Sequence, residues 1–466
     1  MKTNRRDFIK ISGLTGLGFA GAGVINDNPE RIIPEFKEPG SARFNMCGYG
    51  APKIETVRIG FIGLGNRGPA AVDRMTHISN TDIKALCDIR PEKVNEVKKS
   101  LENSKHHPDV YTGKADEWKK LCDRPDIDLV YVATPWALHT PIAVYAMNQG
   151  KHVCVEVPAA KTIEECWQLV ETSERTRKHC IILENCCYDF FEQLTLSMAR
   201  QGLFGEIVHC EGAYIHTLLE GNFSKDKYYD MWRLKENFRN GNLYPTHGLG
   251  PIAQVMDINR GDKMDYLVSL SGKDFQMAAM AKELAAKDDF YKPFANKAYR
   301  GNMNTTTIKT NKGKTIMLQH DVTSPNVYSR IHKVSGTSGS ALKYPLPGRI
   351  AFGHEEWVKE EEYKKLEESH STPLVKRIGE MAKQVGGHGG MDFLMDWRTI
   401  DCLRNGLPVD MDVYDAALWS SIGPLSEKSV ATRSGSIDIP DFTSGSWKTN
   451  KPVDISFEKG ANTSVI

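Results

Sequence analysis

Neither sign of charge dominates this chain of 466 residues: 60 lysines and arginines stand against 59 aspartates and glutamates, for a formal net charge of +1. The two signs are interspersed. No basic stripe points to nucleic acid and no acidic block points to a disordered tail, so partners selected by bulk electrostatics are not expected. None of the ten cysteines forms a C-x-x-C pair. Cys87, Cys154, Cys180 and Cys210 sit in apolar, strand-like runs, where cysteine behaves as a small hydrophobe. Cys186 and Cys187 are adjacent and poorly placed to bridge each other. Buried thiols are expected, with neither a disulfide framework nor a metal site. There is no internal repeat and no long low-complexity tract. A stable membrane span is also missing, because the apolar stretch from Ile11 to Ile25 is too short and too rich in glycine.

That stretch follows Asn4-Arg5-Arg6-Asp7-Phe8-Ile9-Lys10. Paired arginines ahead of a short apolar region are the pattern of a twin-arginine export signal. Residues 1–30 are therefore expected to be a signal segment, and a periplasmic or extracellular destination follows. Residues 31–54, rich in proline, glycine and charge, read as a linker. The export route carries proteins already folded, which suits a chain that acquires a nucleotide before it leaves.

The nucleotide is the expectation raised by Ile59-Gly60-Phe61-Ile62-Gly63-Leu64-Gly65-Asn66-Arg67-Gly68. An apolar run ends at glycines spaced G-x-G-x-x-G, and a helical pattern follows with Val72, Met75 and Ile78 at turn spacing. Gly63 permits a tight turn, Gly65 lets backbone approach a pyrophosphate, and Gly68 lets the helix pack closely on the strand. Asp88 ends the next apolar run, where a carboxylate meets an adenosine ribose and repels a 2′-phosphate, favouring NAD over NADP.

Strands and helices then alternate with short connections. Runs at Leu129–Ala133, His152–Val155 and Cys180–Leu183 read as strands, and Ala143–Met147 and Ile163–Arg177 as helices. The expected class is α/β, with a doubly wound Rossmann domain over residues 55–185. Beyond it, Ile207–His216 reads as a long strand. Thr305–Thr310 and Lys314–Val322 alternate across Asn311-Lys312-Gly313, a hairpin signal. Ile331–Val334 and Ser340–Leu342 continue the strands, and Asp412–Ser421 and Leu425–Ala431 read as helices. Residues 186–466 are thus expected to form a second α+β domain with a largely antiparallel open sheet and C-terminal helices.

Ligands in a parallel sheet lie beyond the carboxyl ends of its strands, and several polar residues fall at such ends. Glu156 stands in Val155-Glu156-Val157-Pro158, where sugar dehydrogenases of the glucose–fructose oxidoreductase type carry Glu-Lys-Pro. Their usual aspartate, four residues before a histidine in the second domain, is here Leu243, ahead of Tyr244-Pro245-Thr246-His247. The scaffold resembles that superfamily without its lysine and aspartate. A narrower resemblance accounts for both absences. Trp136-Ala137-Leu138-His139, Glu156-Val157, Glu184-Asn185-Cys186-Cys187-Tyr188, Trp232-Arg233 and Tyr244-Pro245-Thr246-His247 are similar to the signature of glycoside hydrolase family 109. Tyr328 after His320-Asp321, the segment Gly387–Asp392, Asp412-Val413-Tyr414-Asp415 and Pro424–Ser429 continue it.

The resemblance implies an NAD-retaining enzyme that removes terminal N-acetylgalactosamine from glycans. The implied route is oxidation at C3 of the sugar, elimination, water addition and re-reduction, outside the usual scheme of two carboxylates. Carried over, Gly63, Gly65, Asn66, Arg67, Gly68 and Asp88 belong to the nucleotide, with Trp136, Ala137, Leu138, His139, Glu156, Val157, Asn185 and Tyr244 completing its pocket. Tyr214, Arg233, Tyr244, Pro245, Thr246, His247 and Tyr328 line the sugar site. His247 is the favoured proton carrier, and Tyr188, helped by a cation such as Arg233, the candidate base at C2. An exchange of roles between those two stays open. Without the resemblance, His247 reads as a satisfied structural histidine and the tyrosines as core-edge residues. The rival functional readings are a sugar oxidoreductase and a nucleotide-bound sugar-binding protein without turnover. A homo-oligomer is left open.

Overall fold

The computed structural model describes residues 44–466; the paired arginines, the rest of the signal segment and the linker up to residue 43 lie outside the described residues. Six parallel strands form the first sheet: β1 (Val57–Ile62), β2 (Thr81–Asp88), β3 (Asp109–Thr112), β4 (Leu129–Val132), β5 (His152–Val155) and β6 (Cys180–Ile182). Their order is β3-β2-β1-β4-β5-β6. Strands β4, β5 and β6 are buried throughout, as strands covered by helices on both faces must be. The order reverses between β1 and β4, and that switch point opens the crevice in which such sheets hold ligands. Gly63 makes the turn out of β1 at φ +95°, and a Cβ there would stand 2.5 Å from the Ala133 carbonyl oxygen just past β4. Only glycine fits so close a crossing.

The second sheet contains β7 (Ile207–Ile215), β8 (Met264–Ser271), β9 (Asn304–Thr310), β10 (Thr315–Asp321), β11 (Lys333–Gly336), β12 (Ser340–Leu342), β13 (Arg349–Ala351) and β14 (Ile437–Asp438). They run in the order β13-β12-β11-β7-β10-β9-β8-β14. Pairing is antiparallel except between β7 and β10, whose register sets Tyr214 beside His320. The expected β9–β10 hairpin forms.

Two expectations are corrected. Residues 44–54 are not a free linker: the Met46 N–H donates to the Tyr414 hydroxyl at 3.1 Å, the Ile54 N–H donates to the Leu403 carbonyl at 3.2 Å, and Met46 and Ala51 are buried. Composition reports the cost of ordering a segment, but not whether a groove awaits its few apolar residues. The two C-terminal helical runs are one helix, Val413–Ala431, which passes through Pro424 and starts at an Asp412–Asp415 capping box. All ten cysteines are free and nine are buried. Among the described residues, no helix is long and apolar enough to cross a membrane.

The helix that follows the first sheet, Phe190–Arg200, is fastened to the second sheet's side by buried charge. Arg330 reaches Asp189 at 2.6 Å and Glu192 at 2.7 Å, and Lys343 reaches Glu192 at 2.9 Å and also pairs with Asp189. Burial pushes the Glu192 carboxyl up, but the charges of Lys343 and Arg330 outweigh it and hold the group at about 2, below its ordinary 4.5. Between those two values the unfolded chain binds the proton that the folded chain refuses. The stabilisation is therefore whole above pH 4.5 and is lost as pH falls toward 2. Glu192→Gln is expected to lower unfolding stability by about 3 kcal/mol at pH 7, because it leaves two buried cations with only Asp189 to neutralise them. It should also flatten the acid limb of stability against pH, which denaturant melts across that range would measure.

Candidate active site

Within the second domain, one contact between backbones sets the residues that face the crevice. The helix Thr246–Val255 lies directly on β7: a Cβ on Gly212 would meet the Gly248 carbonyl oxygen at 2.5 Å, and one on Gly248 would meet the Ala213 nitrogen at 2.3 Å. No larger residue allows that approach. It sets His247, in the first turn, edge-on to Tyr214 with ring centres 5.4 Å apart and to Tyr244 at 4.9 Å. Tyr214 and Tyr244 are themselves 4.6 Å apart, and Tyr328 stands edge-on to Tyr214 at 6.4 Å.

From Tyr244 the aromatic wall continues into the first domain. Trp136, in a single turn after β4, stacks on Tyr244 at 5.7 Å and meets Trp232 at 5.4 Å. The Arg233 guanidinium sits 5.4 to 5.9 Å from the rings of Tyr244, Tyr228, Trp136 and Trp232. Among the described residues it makes no ion pair with a carboxylate. Burial acts to lower its pKa, yet the surrounding phenols, Tyr214 first, leave it above its ordinary value and so charged. Burial raises the phenols of Tyr214 and Tyr244. Neutral at ordinary pH, they donate hydrogen bonds and do not serve as bases.

His247 Nδ1 lies 2.8 and 2.9 Å from the two carboxylate oxygens of Glu184, a fully buried residue just past β6. Pro245 and Thr246, expected to line the sugar site, are instead buried backing for this turn; Thr246 has no exposed surface. Glu184, Cys186 and His247 bring three potential ligand atoms within 4.8 Å of one another. Glu184 accepts from both His247 and the Cys186 N–H, at 3.1 Å, and burial pushes the Cys186 thiol well above its ordinary range. The trio is built as a hydrogen-bonded network.

On the nucleotide side, the helix Gly68–Thr76 begins with no side-chain cap and no acidic residue in its first turn, so its leading N–H groups are free for an anion. Asp88 accepts from the Leu64 N–H at 2.7 Å, from the Arg90 N–H at 3.0 Å and from the Arg90 guanidinium at 3.1 Å, which braces the glycine turn. Asn66 donates to the Lys227 carbonyl at 2.8 Å, tying that turn to the second domain. Arg67 bonds Glu156 at 2.9 Å and Asp392 at 3.1 Å, and Asn185 donates to Asp392 at 2.5 Å. Burial pushes the Asp392 carboxyl up, but a hydrogen bond from His388 and the charges of Arg67 and Arg74 outweigh it and hold the group well below the carboxylate range. Burial lowers His216, and the charges of Arg233, Lys227, His247 and His388 add to that. An uncapped helix behind a glycine turn fits a dinucleotide's two phosphates.

Not every expected residue reaches this cavity. Both ring nitrogens of His139 face backbone carbonyls, Pro158 at 2.7 Å and Thr134 at 2.8 Å, so it fastens two loops and has no nitrogen left for a cofactor. Ala137 and Leu138 are exposed on the turn that carries Trp136, and Val157 is buried. Tyr188 is turned away from Arg233. Its hydroxyl donates to Asp410 at 3.1 Å, in a pair that Arg398 completes at 2.9 Å. Burial and then Asp410 push its phenol well up. It is not placed to be the base at C2, because the cation beside it is Arg398, which Asp410 already neutralises. The sequence reading missed Glu184, Asp392 and His388. The last stands 3.2 Å from Arg67 and 2.9 Å from Asp392. Their signal lay in the motifs already noted, but nothing local showed what each would face.

A family model described as the C-terminal domain of glycosyl hydrolase 109 matches residues 188–449, and one described as the NAD-binding Rossmann fold of an oxidoreductase family matches residues 57–183. A glycosyl hydrolase family 109 protein of Bacteroides fragilis is 48% identical over 433 residues, 89% of this chain and 91% of that protein. The chain belongs to glycosyl hydrolase family 109. Another family 109 relative, from Porphyromonas gingivalis, is 49% identical over 413 residues, 85% of this chain and 86% of that protein. A B. fragilis protein named alpha-N-acetylgalactosaminidase is 48% identical over 412 residues, 87% of this chain and 96% of its own length. Among solved structures, an oxidoreductase domain protein from Kribbella flavida superposes with a TM-score of 0.63 at 15% identity, over 83% of this chain and all of that one. A levoglucosan dehydrogenase in complex with NADH gives 0.59 at 16%, with the same coverage. At such identities these two show that the family 109 chain shares their fold.

The glycine turn offers a test of the nucleotide site. A Cβ at Gly65 would meet only the end of the Arg90 side chain, at 3.2 Å, so the fold accepts a larger residue that intrudes on a bound phosphate. Gly65→Val should leave the melting temperature of nucleotide-free protein unchanged. It should cut the NAD that copurifies with the enzyme by at least about tenfold, read from nucleotide released on denaturation.

Proposed function

We propose that this enzyme releases terminal N-acetylgalactosamine from glycans and keeps its NAD throughout turnover. One observation carries the reading: the aromatic pocket holding His247 joins the nucleotide crevice at the Trp136–Tyr244 stack, 5.7 Å between rings, so a sugar in one abuts a nicotinamide in the other. The places where sugar dehydrogenases hold a lysine and an aspartate are occupied by Val157 and Leu243. The Leu243 N–H is held by His320 at 3.1 Å, and that loop carries Tyr244. The choice of sugar follows the name of the B. fragilis relative.

Gly63, Gly65, Gly68, Asn66, Arg67 and Asp88 would hold the adenosine and phosphate end of NAD, and Trp136, Glu156, Asn185 and Tyr244 its nicotinamide end. Bound there, NAD supplies a reversible oxidation at C3 of the sugar, which makes the C2 proton acidic. The chain's own work is then to move protons. His247 takes and returns them, since an imidazole carries both a donor and an acceptor nitrogen and the neighbouring phenols stay protonated. Arg233, charged and without a carboxylate partner among the described residues, stabilises the negative charge that gathers on the sugar oxygens as the C2 proton leaves. Tyr214, Tyr244 and Tyr328 donate to hydroxyls and pack against the ring. We further propose export by the twin-arginine route, on the strength of Arg5 and Arg6 ahead of a short apolar run.

Purified enzyme given an aryl N-acetylgalactosaminide in D₂O, with no added cofactor, should release N-acetylgalactosamine carrying deuterium at C2. His247→Ala should lower turnover by about 100-fold or more. Reduction of added NAD by free sugars without cleavage would overturn the proposal.

A further inference from the structure

We propose that Glu184 is a positioning residue for this reaction: its carboxylate holds His247 as the tautomer protonated on Nδ1, so Nε2 is the atom that exchanges protons with the sugar. The inference rests on His247 being the proton carrier. Both oxygens of Glu184 lie within 2.9 Å of Nδ1, and Oε1 also accepts the Cys186 N–H at 3.1 Å. Burial pushes this carboxyl up, but His247 and the hydrogen bonds around it outweigh burial and leave it below its ordinary value. An ionised carboxylate only accepts, so Nδ1 must donate, and the lone pair of the neutral ring falls on Nε2. Among the described residues Nε2 has no hydrogen-bond partner, and the ring is held edge-on between Tyr214 and Tyr244.

Space has been made for the carboxylate. Gly250 lies three residues after His247 on the same helix face, and a Cβ there would stand 2.8 Å from Glu184 Cγ. Gly250 is therefore what lets a second-domain helix accept a fully buried carboxylate from the first domain. The arrangement also answers the absence of a lysine after β5. With Val157 in that place, proton handling passes to a pair that bridges the end of β6 and the helix of His247. The pair exchanges charge without net gain: Nε2 accepts one proton from the sugar and later gives one back, and Glu184 neutralises the imidazolium between those events without taking a proton itself.

The test uses the NAD-loaded enzyme labelled with ¹⁵N-histidine. A low-field proton resonance on Nδ1 of His247 is expected in the wild type, identified by its loss in His247→Gln, and it should shift or vanish in Glu184→Gln. With the aryl N-acetylgalactosaminide, Glu184→Gln should lower kcat on the order of 100-fold while KM changes little. Glu184→Asp should recover part of that loss. Gly250→Ala, which displaces the carboxylate without removing it, should fall between, and it serves where Glu184→Gln does not fold. An unchanged Nδ1 resonance in Glu184→Gln, or wild-type kcat beside an inactive His247→Gln, would overturn the role of Glu184 alone. Wild-type kcat in His247→Gln would overturn the assignment of His247 and this inference with it.

Discussion

The site depends on one close approach. The helix Thr246–Val255 touches β7 backbone to backbone at Gly212 and Gly248, and two residues further Gly250 leaves room for Glu184 from the other domain. A side chain at Gly212 or Gly248 would push the helix off β7, and with it His247 from its carboxylate and Tyr244 from Trp136, and one at Gly250 would displace the carboxylate itself. Proton carrier, aromatic wall and nucleotide crevice are thus held in register by small residues that carry no chemistry. Catalytic geometry tolerates little error, so a contact without slack is a reasonable place to anchor it.

Buried charge joins the same two parts of the molecule. Arg67 of the glycine turn is shared between Glu156 after β5 and Asp392 near the start of a C-terminal helix, and Arg74 pairs with Asp396 one turn along that helix. Such pairs add little net stability, because desolvation offsets attraction, but losing one partner is costly, and this favours a single arrangement. Around the sugar pocket the pattern changes. Arg233 is enclosed by rings, with no carboxylate paired to it among the described residues, and the phenols beside it are held neutral by burial. A fixed positive charge among neutral donors suits a reaction in which negative charge appears on the substrate and then disappears.

Much of the frame could be read from neighbouring residues. The strand-to-helix glycine turn, the strand ends that bear Trp136, Glu156 and Asn185, and the β9–β10 hairpin all rest on local spacing, because backbone periodicity and turn chemistry act over a few residues. The aromatic residues of the pocket were named through motifs that repeat a family pattern, and Tyr214, Arg233, Tyr244, His247 and Tyr328 do gather. Placement failed where a partner decides the role. Tyr188 belongs to the same motif as Glu184, yet the short turn after β6 sends it toward Asp410 and leaves Glu184 facing His247.

The sequence by itself determined the class of the fold, the nucleotide turn and the set of polar side chains available to the reaction. Only the tertiary structure decided which of them meet: His247 with Glu184 across 63 residues, and Arg67 with Asp392 across 325. The physical reason is that side-chain type and spacing fix local conformation, whereas hydrogen bonds and charge pairs are chosen by the packing of distant elements. Here that packing was set by glycines whose function is to occupy no space.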